Sequence, residues 1–197
     1  MKKFFVLIAA AIVSMSAMAQ VQFGAKVGVD ATNFWGSDVE HGMKPSYQAG
    51  LVMEYKFNPH FAIAPEVVFA SQGGKYKAIE MNLFGLDVSK EVTFNTNYIN
   101  VPVMLKYYMS PAFSVDFGPQ VGFNVYSKVS VEDGDKAYDL KDSTKAVDFG
   151  LGLGGTYNLT ENAFVQARYT LGMTKVFDGD LSKEKNGNIQ LAFGMKF

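Results

Sequence analysis

The last ten residues are Asn188-Ile189-Gln190-Leu191-Ala192-Phe193-Gly194-Met195-Lys196-Phe197. Large apolar side chains occupy every second position, and the positions between them carry polar or small side chains. In an extended chain, alternate residues point to opposite faces, whereas an α-helix would repeat every 3.6 residues. The segment is therefore predicted to be a β-strand with one apolar face and one polar face.

The same alternation recurs along the rest of the chain in seven further segments. They are residues 21–33, 45–57, 61–71, 98–108, 113–126, 147–159 and 163–174. Short turns follow the second, fourth and sixth segments, at 58–60, 109–112 and 160–162, whereas long polar connections lie at 34–44, 72–97, 127–146 and 175–187. Short and long connections alternate in this way in a transmembrane antiparallel up-and-down barrel. The predicted fold class is all-β, an eight-stranded barrel of this kind.

The two faces of these segments differ in charge and in size. The apolar face carries no Asp, Glu, Lys or Arg, whereas the opposite face carries charges and most of the glycines. The interior of an eight-stranded barrel is only just wide enough for its side chains, so the glycine-rich face is predicted to point inward. The aromatic-rich face is then predicted to contact lipid, which makes the chain an integral membrane protein.

Cations and anions are equal in number among the charges predicted to face the lumen. They are Lys26, Asp30, Glu54, Lys56, Glu66, Lys106, Asp116, Asp148, Arg168 and Lys196. Because unpaired buried charges are unfavourable, we expect a mutually paired network that fills a closed, monomeric barrel. The alternatives are a small-solute channel, or an acid/base site formed by Glu54, Glu66 and Asp116.

Three prolines lie inside predicted strands, at Pro65, Pro102 and Pro119. Proline has no N–H to donate to a strand ladder, and a closed barrel has no edge strand where that donor is unnecessary. Local bulges or unpaired ladder positions are therefore expected at these three residues.

The N-terminal residues have the composition of an export signal. Lys2 and Lys3 precede an apolar stretch at 4–13, and Ala17-Met18-Ala19 forms a small-x-small cleavage site. This stretch is shorter than the roughly 20 residues of a membrane-spanning helix. Residues 1–19 are predicted to be a signal peptide for the Sec pathway, and residues 20–197 to form one barrel domain.

Composition argues against most catalytic and nucleic-acid functions. The chain has no cysteine, two histidines and a net charge of −1, so it offers no thiolate chemistry and no basic surface for nucleic acid. No cofactor, metal site or catalytic group is predicted. One enzymatic alternative remains, a lipid-modifying enzyme that uses His41 in the first long connection.

The second long connection is unusually apolar for a solvent-exposed loop. It contains Ile79, Met81, Leu83, Phe84, Leu86 and Val88. One interpretation is that the third and fourth strands continue beyond the membrane as a hairpin with its own small cluster. The other is a docking surface for an extracellular protein or a glycan.

An ordered series of motifs resembles the PorT-like outer-membrane β-barrel family of Gram-negative bacteria. The series comprises 23–28, 49–51, 65–69, 97–103, 117–119, 148–154, 167–172 and 193–197. The resemblance implies a porin-like barrel in the outer membrane with both termini in the periplasm. The terminal Phe193, Met195 and Phe197 resemble the signal recognised by the barrel-assembly machinery. The family leaves activity open, so we expect a structural or binding role through the extracellular loops.

Overall fold

The computed structural model describes residues 20–36, 41–77, 81–83, 86–88, 91–131, 137–139, 144–176 and 184–197. The long strands are β1 (Val21–Trp35), β2 (Lys44–Lys56), β3 (Phe61–Lys77), β4 (Glu91–Ser110), β5 (Phe113–Val131), β6 (Val147–Asn158), β7 (Ala163–Lys175) and β8 (Lys185–Lys196). Shorter strands are His41–Gly42, Met81–Leu83, Leu86–Val88 and Ala137–Asp139. No described residue is helical.

The eight long strands form a closed antiparallel barrel. Each strand pairs with the next along the chain. β8 returns to β1 in a ladder that runs from Gly24–Lys196 to Trp35–Lys185. Closure gives each of the eight long strands a partner on both sides, which is the usual solution for a sheet surrounded by lipid. The predicted fold class is confirmed.

Short turns join strands at one end of the barrel, here called the turn end, and the long connections lie at the other, the loop end. Side-chain oxygens stabilise the turns, as expected for residues of this type. The side-chain amide oxygen of Asn58 accepts hydrogen bonds from the backbone N–H groups of His60 and Phe61 at 2.8 and 2.9 Å. The Thr160 hydroxyl accepts those of Asn162 and Ala163 at 3.2 and 2.9 Å.

The two faces of the wall are separated as the alternation predicted. Val27, Leu51 and Leu153 are 61%, 58% and 57% exposed on the outer surface. Lys26 and Arg168, which point into the lumen, are only 2% and 3% exposed. The barrel therefore has an apolar exterior and a charged interior, the reverse of a water-soluble protein.

Glycines make the narrow interior possible. A Cβ added to Gly118 would overlap the Val103 carbonyl oxygen, and one added to Gly194 would overlap the Phe164 ring. Phe164 itself is buried in the lumen. Small residues on the inward face thus let strands approach closely and leave room for the large side chains that fill the barrel.

The prolines coincide with unpaired ladder positions, without a shift of register. The β2–β3 ladder is interrupted between its Val52–Glu66 and Tyr55–Ile63 pairs, beside Pro65. The β3–β4 ladder is interrupted between Pro65–Val103 and Val68–Asn100, and the β4–β5 ladder between Pro102–Gln120 and Leu105–Phe117. Register is kept on both sides, because the neighbouring pairs hold each strand in place.

Strands at the loop end are longer than predicted. The sequence placed the ends of β3 and β4 at Ser71 and Tyr98, whereas the ladder between them continues to the Lys77–Glu91 pair. β5 likewise extends to Val131 and pairs with the short strand Ala137–Asp139. The apolar alternation stops where lipid contact would stop, but backbone hydrogen bonding does not require an apolar face.

Candidate functional site

Glu66 is the centre of the ion pairs in the lumen. The Lys26 Nζ lies 2.7 Å from Glu66 Oε2, while Arg168 donates to both carboxylate oxygens at 2.7 and 3.0 Å. Lys26 also donates to Gln166 Oε1 at 2.8 Å. Since β3 and β7 lie on opposite sides of the barrel, the bidentate pair crosses the lumen.

Glu54 forms a second group of contacts nearer the turn end. Its carboxylate accepts a hydrogen bond from Tyr108 Oη at 2.5 Å and lies 3.4 and 3.5 Å from the ammonium groups of Lys106 and Lys196. Lys56 lies 3.8 Å from Glu54 and is more exposed than the others, so it marks the mouth of the barrel. Tyr108 was not among the predicted site residues, although its place next to outward-facing Tyr107 indicates that it points inward.

Asp116 is held mainly by neutral groups. The hydroxyls of Ser114 and Thr156 donate to its two oxygens, and Gln166 Nε2 donates at 3.4 Å. The Lys106 ammonium is farther away, at 3.9 Å. Asp116 is fully buried. Its oxygens are therefore committed to internal partners, as are those of Glu54 and Glu66, which disfavours the acid/base alternative for these three carboxylates.

Asp30 and Asp148 depart from the predicted network. Neither forms an ion pair with a described residue; each accepts a hydrogen bond from an amide, Gln48 at 2.7 Å and Asn186 at 2.9 Å. They lie toward the loop end, whereas the cations of the network lie toward the turn end. The prediction that all ten charges pair with one another was wrong for these two, because alternation assigns a face but not a depth.

Lys44 is an inward-facing charge that the sequence prediction missed. It was assigned to the first long connection, but it begins β2 and is 7% exposed. Its ammonium donates to Ser46 Oγ, Ser71 Oγ and the Gln72 carbonyl oxygen at 3.4, 3.3 and 3.1 Å. Lys44 is two residues before Ser46 and four before Gln48, so an extended chain places all three on the inward face, and this spacing could have predicted its position.

Large side chains occupy the lumen above the ion pairs. Phe34 and Tyr98 are each 1% exposed, and the Phe34 ring meets Phe94 edge-on at a centroid distance of 6.5 Å. Met104 is buried at a level between these rings and the turn end. Together with the ion-paired groups, these side chains fill the cross-section at several depths.

Among the residues that the structure describes, no helix is long and apolar enough to cross a membrane. In the same part of the chain, no group of three or more His, Asp or Glu side chains could hold a metal ion. A family model described as an outer membrane protein beta-barrel domain matches residues 14–178. The chain belongs to this family. It is therefore an outer-membrane β-barrel protein of the porin-like, Gram-negative type, and the exposed apolar wall is its lipid-facing surface.

Solved structures of other small barrels support the same fold. Neisserial surface protein A matches with a TM-score of 0.57 and 14% identity over 89% of this chain and 97% of that chain. Ail, the attachment invasion locus protein of Yersinia pestis, matches with a TM-score of 0.52 and 15% identity over 90% and 99%. A second Ail structure, with the heparin analogue sucrose octasulfate, has the same TM-score and 16% identity. No curated protein matches the chain significantly.

Several predicted site residues fall partly or wholly outside the described part of this outer-membrane barrel. Only the backbone is described for His41, Met81, Leu83, Leu86 and Val88. Ile79, Phe84 and residues 1–19 lie outside the described residues altogether. By contrast, the terminal Phe193, Met195 and Phe197 are placed on the lipid-facing surface, 46%, 55% and 73% exposed.

Proposed function

We propose that this outer-membrane barrel is a closed structural and binding protein, without catalysis, whose partner docks at the loop end. The observation that carries the proposal is the Glu66–Lys26–Arg168 contact, which joins opposite walls and obstructs the lumen. Transport through the barrel would require these buried ion pairs to separate, which is strongly unfavourable. The exposed loops are then the part of the protein that is available for interaction.

The proposed orientation places the loop end outside the cell. In this arrangement, residues 1–19 direct export through the Sec pathway and are removed. Residues 20–197 insert with both termini in the periplasm, and the terminal Phe197 is recognised by the barrel-assembly machinery. An even number of strands with short turns at one end supports this arrangement. We also place the chain among the PorT-like members of the family, on the series of motifs given above.

A projecting sheet at the loop end supports a binding role. β3, β4 and β5 extend well beyond the other strands, and the short strands Met81–Leu83 and Leu86–Val88 pair with each other beyond β3. The hairpin interpretation of the second long connection agrees with these longer strands, and a hairpin can also carry a docking surface. The Ail structure with a heparin analogue makes a glycan a reasonable class of partner here, beside an extracellular protein.

Deleting residues 79–88 tests the binding proposal. We expect a folded barrel, with the altered gel mobility on heating that is typical of the class, and loss of the extracellular partners labelled from the cell surface in living cells. A deletion of residues 177–183 in the last connection is the control, and the barrel that carries it should retain the labelled partners. If the two deletion variants labelled the same extracellular partners, a partner site in residues 79–88 would be contradicted.

Conductance tests the closed lumen. In planar bilayers, the purified barrel is expected to give no unitary current steps above the protein-free background, because the Glu66–Arg168 pair crosses the lumen and would have to separate for ions to pass. A double Glu66→Ala and Arg168→Ala variant, which removes the crossing pair, serves as a comparison. Regular unitary steps from the unmodified barrel would favour the small-solute channel instead.

A further inference from the structure

The wall of the barrel has a notch between β2 and β3 at the loop end. The β2–β3 ladder stops at Gln48–Ala70, and pairing to β3 resumes only where His41–Gly42 meets Lys75 and Tyr76. Between these points β2 diverges from β3 near Gly73. The backbone φ of Gly73 is 128°, a conformation that glycine adopts readily and that is strained for other residues. The divergence leaves an open notch of about 400 Å³.

Two lysines line this notch, and none of the described side chains that line it with them is a carboxylate. Lys44 is nearly buried and donates only to neutral oxygens, those of Ser46, Ser71 and Gln72. Lys128 lies over the Tyr126 ring, with its Nζ 4.8 Å from the centroid. A buried ammonium without a counter-charge is unfavourable. The described side chains that line the notch therefore carry two positive charges and no negative one, and an anion would neutralise them.

Amides and hydroxyls surround the two ammonium groups. Asn95 is directly opposite Lys128 in the β4–β5 ladder, and Asn97 is opposite both Ser71 and Tyr126. All of these residues line the notch. Side-chain amides, hydroxyls and ammonium groups are donors that suit the several oxygens of a phosphate.

The notch lies where the outer surface changes from apolar to polar. Phe69, Ile99 and Phe123 form one row across β3, β4 and β5. The next rows toward the loop end are Ser71–Asn97–Tyr126 and Gly73–Asn95–Lys128. Tyr47 packs near Phe69 with ring centroids 6.4 Å apart, as aromatic residues do at a membrane interface. This is the depth at which lipid headgroups lie.

We propose that the notch binds a phosphate group of a membrane lipid, with Lys44 and Lys128 neutralising its charge. Asn95 and Asn97 donate to its free oxygens, and the acyl chains of the lipid lie against the apolar rows below. In the orientation proposed above the lipid belongs to the outer leaflet; the site itself does not depend on that orientation. The lipid would seal a gap in the wall that the strands leave open.

Lipid retention measured by native mass spectrometry tests the site. The full-length barrel is titrated with bisphosphorylated lipid A, with the same lipid after phosphatase treatment, and with inorganic phosphate alone. We expect one retained lipid A, and binding about tenfold weaker in each of Lys44→Gln and Lys128→Gln, because each removes one charged donor. Lys175→Gln, at the loop end of β7 and outside the notch, is the matched control and should bind as tightly as the unmodified barrel.

The outcomes separate the possible sources of the anion. Lys128 is partly exposed, so Lys128→Gln should leave the wall intact even if Lys44→Gln fails to fold. If the Lys128→Gln barrel retained lipid A as tightly as the unmodified barrel, the proposed site would be overturned. Equal retention of the phosphatase-treated lipid would overturn the role of phosphate. Binding of inorganic phosphate with the same lysine dependence, and no preference for lipid A, would replace the lipid by a soluble anion.

Discussion

Glu66→Gln is expected to destabilise the barrel by about 3–5 kcal/mol. The substitution keeps the size of the side chain but removes its negative charge, so Lys26 and Arg168 remain buried without the carboxylate that pairs with both. An uncompensated buried charge is far more unfavourable than a missing surface pair. Reversible unfolding in urea, followed by tryptophan fluorescence in lipid vesicles, measures the change.

Glu161→Gln is the matched control for this prediction. Glu161 lies in the exposed turn between β6 and β7, where water solvates the charge, so its neutralisation should change the free energy of unfolding by less than about 1 kcal/mol. Equal effects of the two substitutions would mean that the ion pairs in the lumen are solvated and contribute little to stability.

Leu153→Arg is the second substitution with a large expected effect, about 2–4 kcal/mol of destabilisation in a bilayer. Leu153 is 57% exposed on the lipid-facing surface and pairs with Phe117 and Tyr169 in the middle of the wall. A guanidinium there would enter the hydrocarbon. The free energy of unfolding from phospholipid vesicles is the measurement.

Tyr157→Arg provides the depth control for Leu153→Arg. Tyr157 lies on the same face of β6 near the turn end, where headgroups and water solvate a charge, so the expected effect falls to about 0–1 kcal/mol. A similar effect at both positions would contradict the assignment of this face to the membrane.

Much of the barrel wall was predictable because lipid contact imposes a strict pattern. Each residue of β6 or β8 faces either hydrocarbon or lumen, so polarity alternates and assigns the face. The loop-end extensions of β3 and β4 were not predictable from this pattern. The outward side chains of these extensions, such as those of Asn95 and Asn97, are polar or small, so the apolar alternation ends while the backbone ladder continues.

Most of the inward-facing charges were predictable from the sequence, but their partners were not. Alternation placed Glu66 and Arg168 in the lumen, but their contact joins residues 102 positions apart and depends on the register of every intervening strand. Asp30 illustrates the difference: it faces inward as expected, yet its partner is Gln48 rather than a lysine. Lys44 was missed because its neighbours in sequence resemble a loop.

The contact between Glu66 and Arg168 also constrains how the protein enters the membrane. β3 comes early in the chain and β7 late, so Glu66 can meet Lys26 of β1 early, but its two hydrogen bonds from Arg168 form only when nearly all of the chain is in place. An open sheet in hydrocarbon would expose Lys26, Glu66 and Arg168 at several kcal/mol each. Bilayer insertion and the final joining of β8 to β1 are therefore expected to be coupled, and a chain truncated before β7 lacks the Arg168 contact that completes the pairing of Glu66.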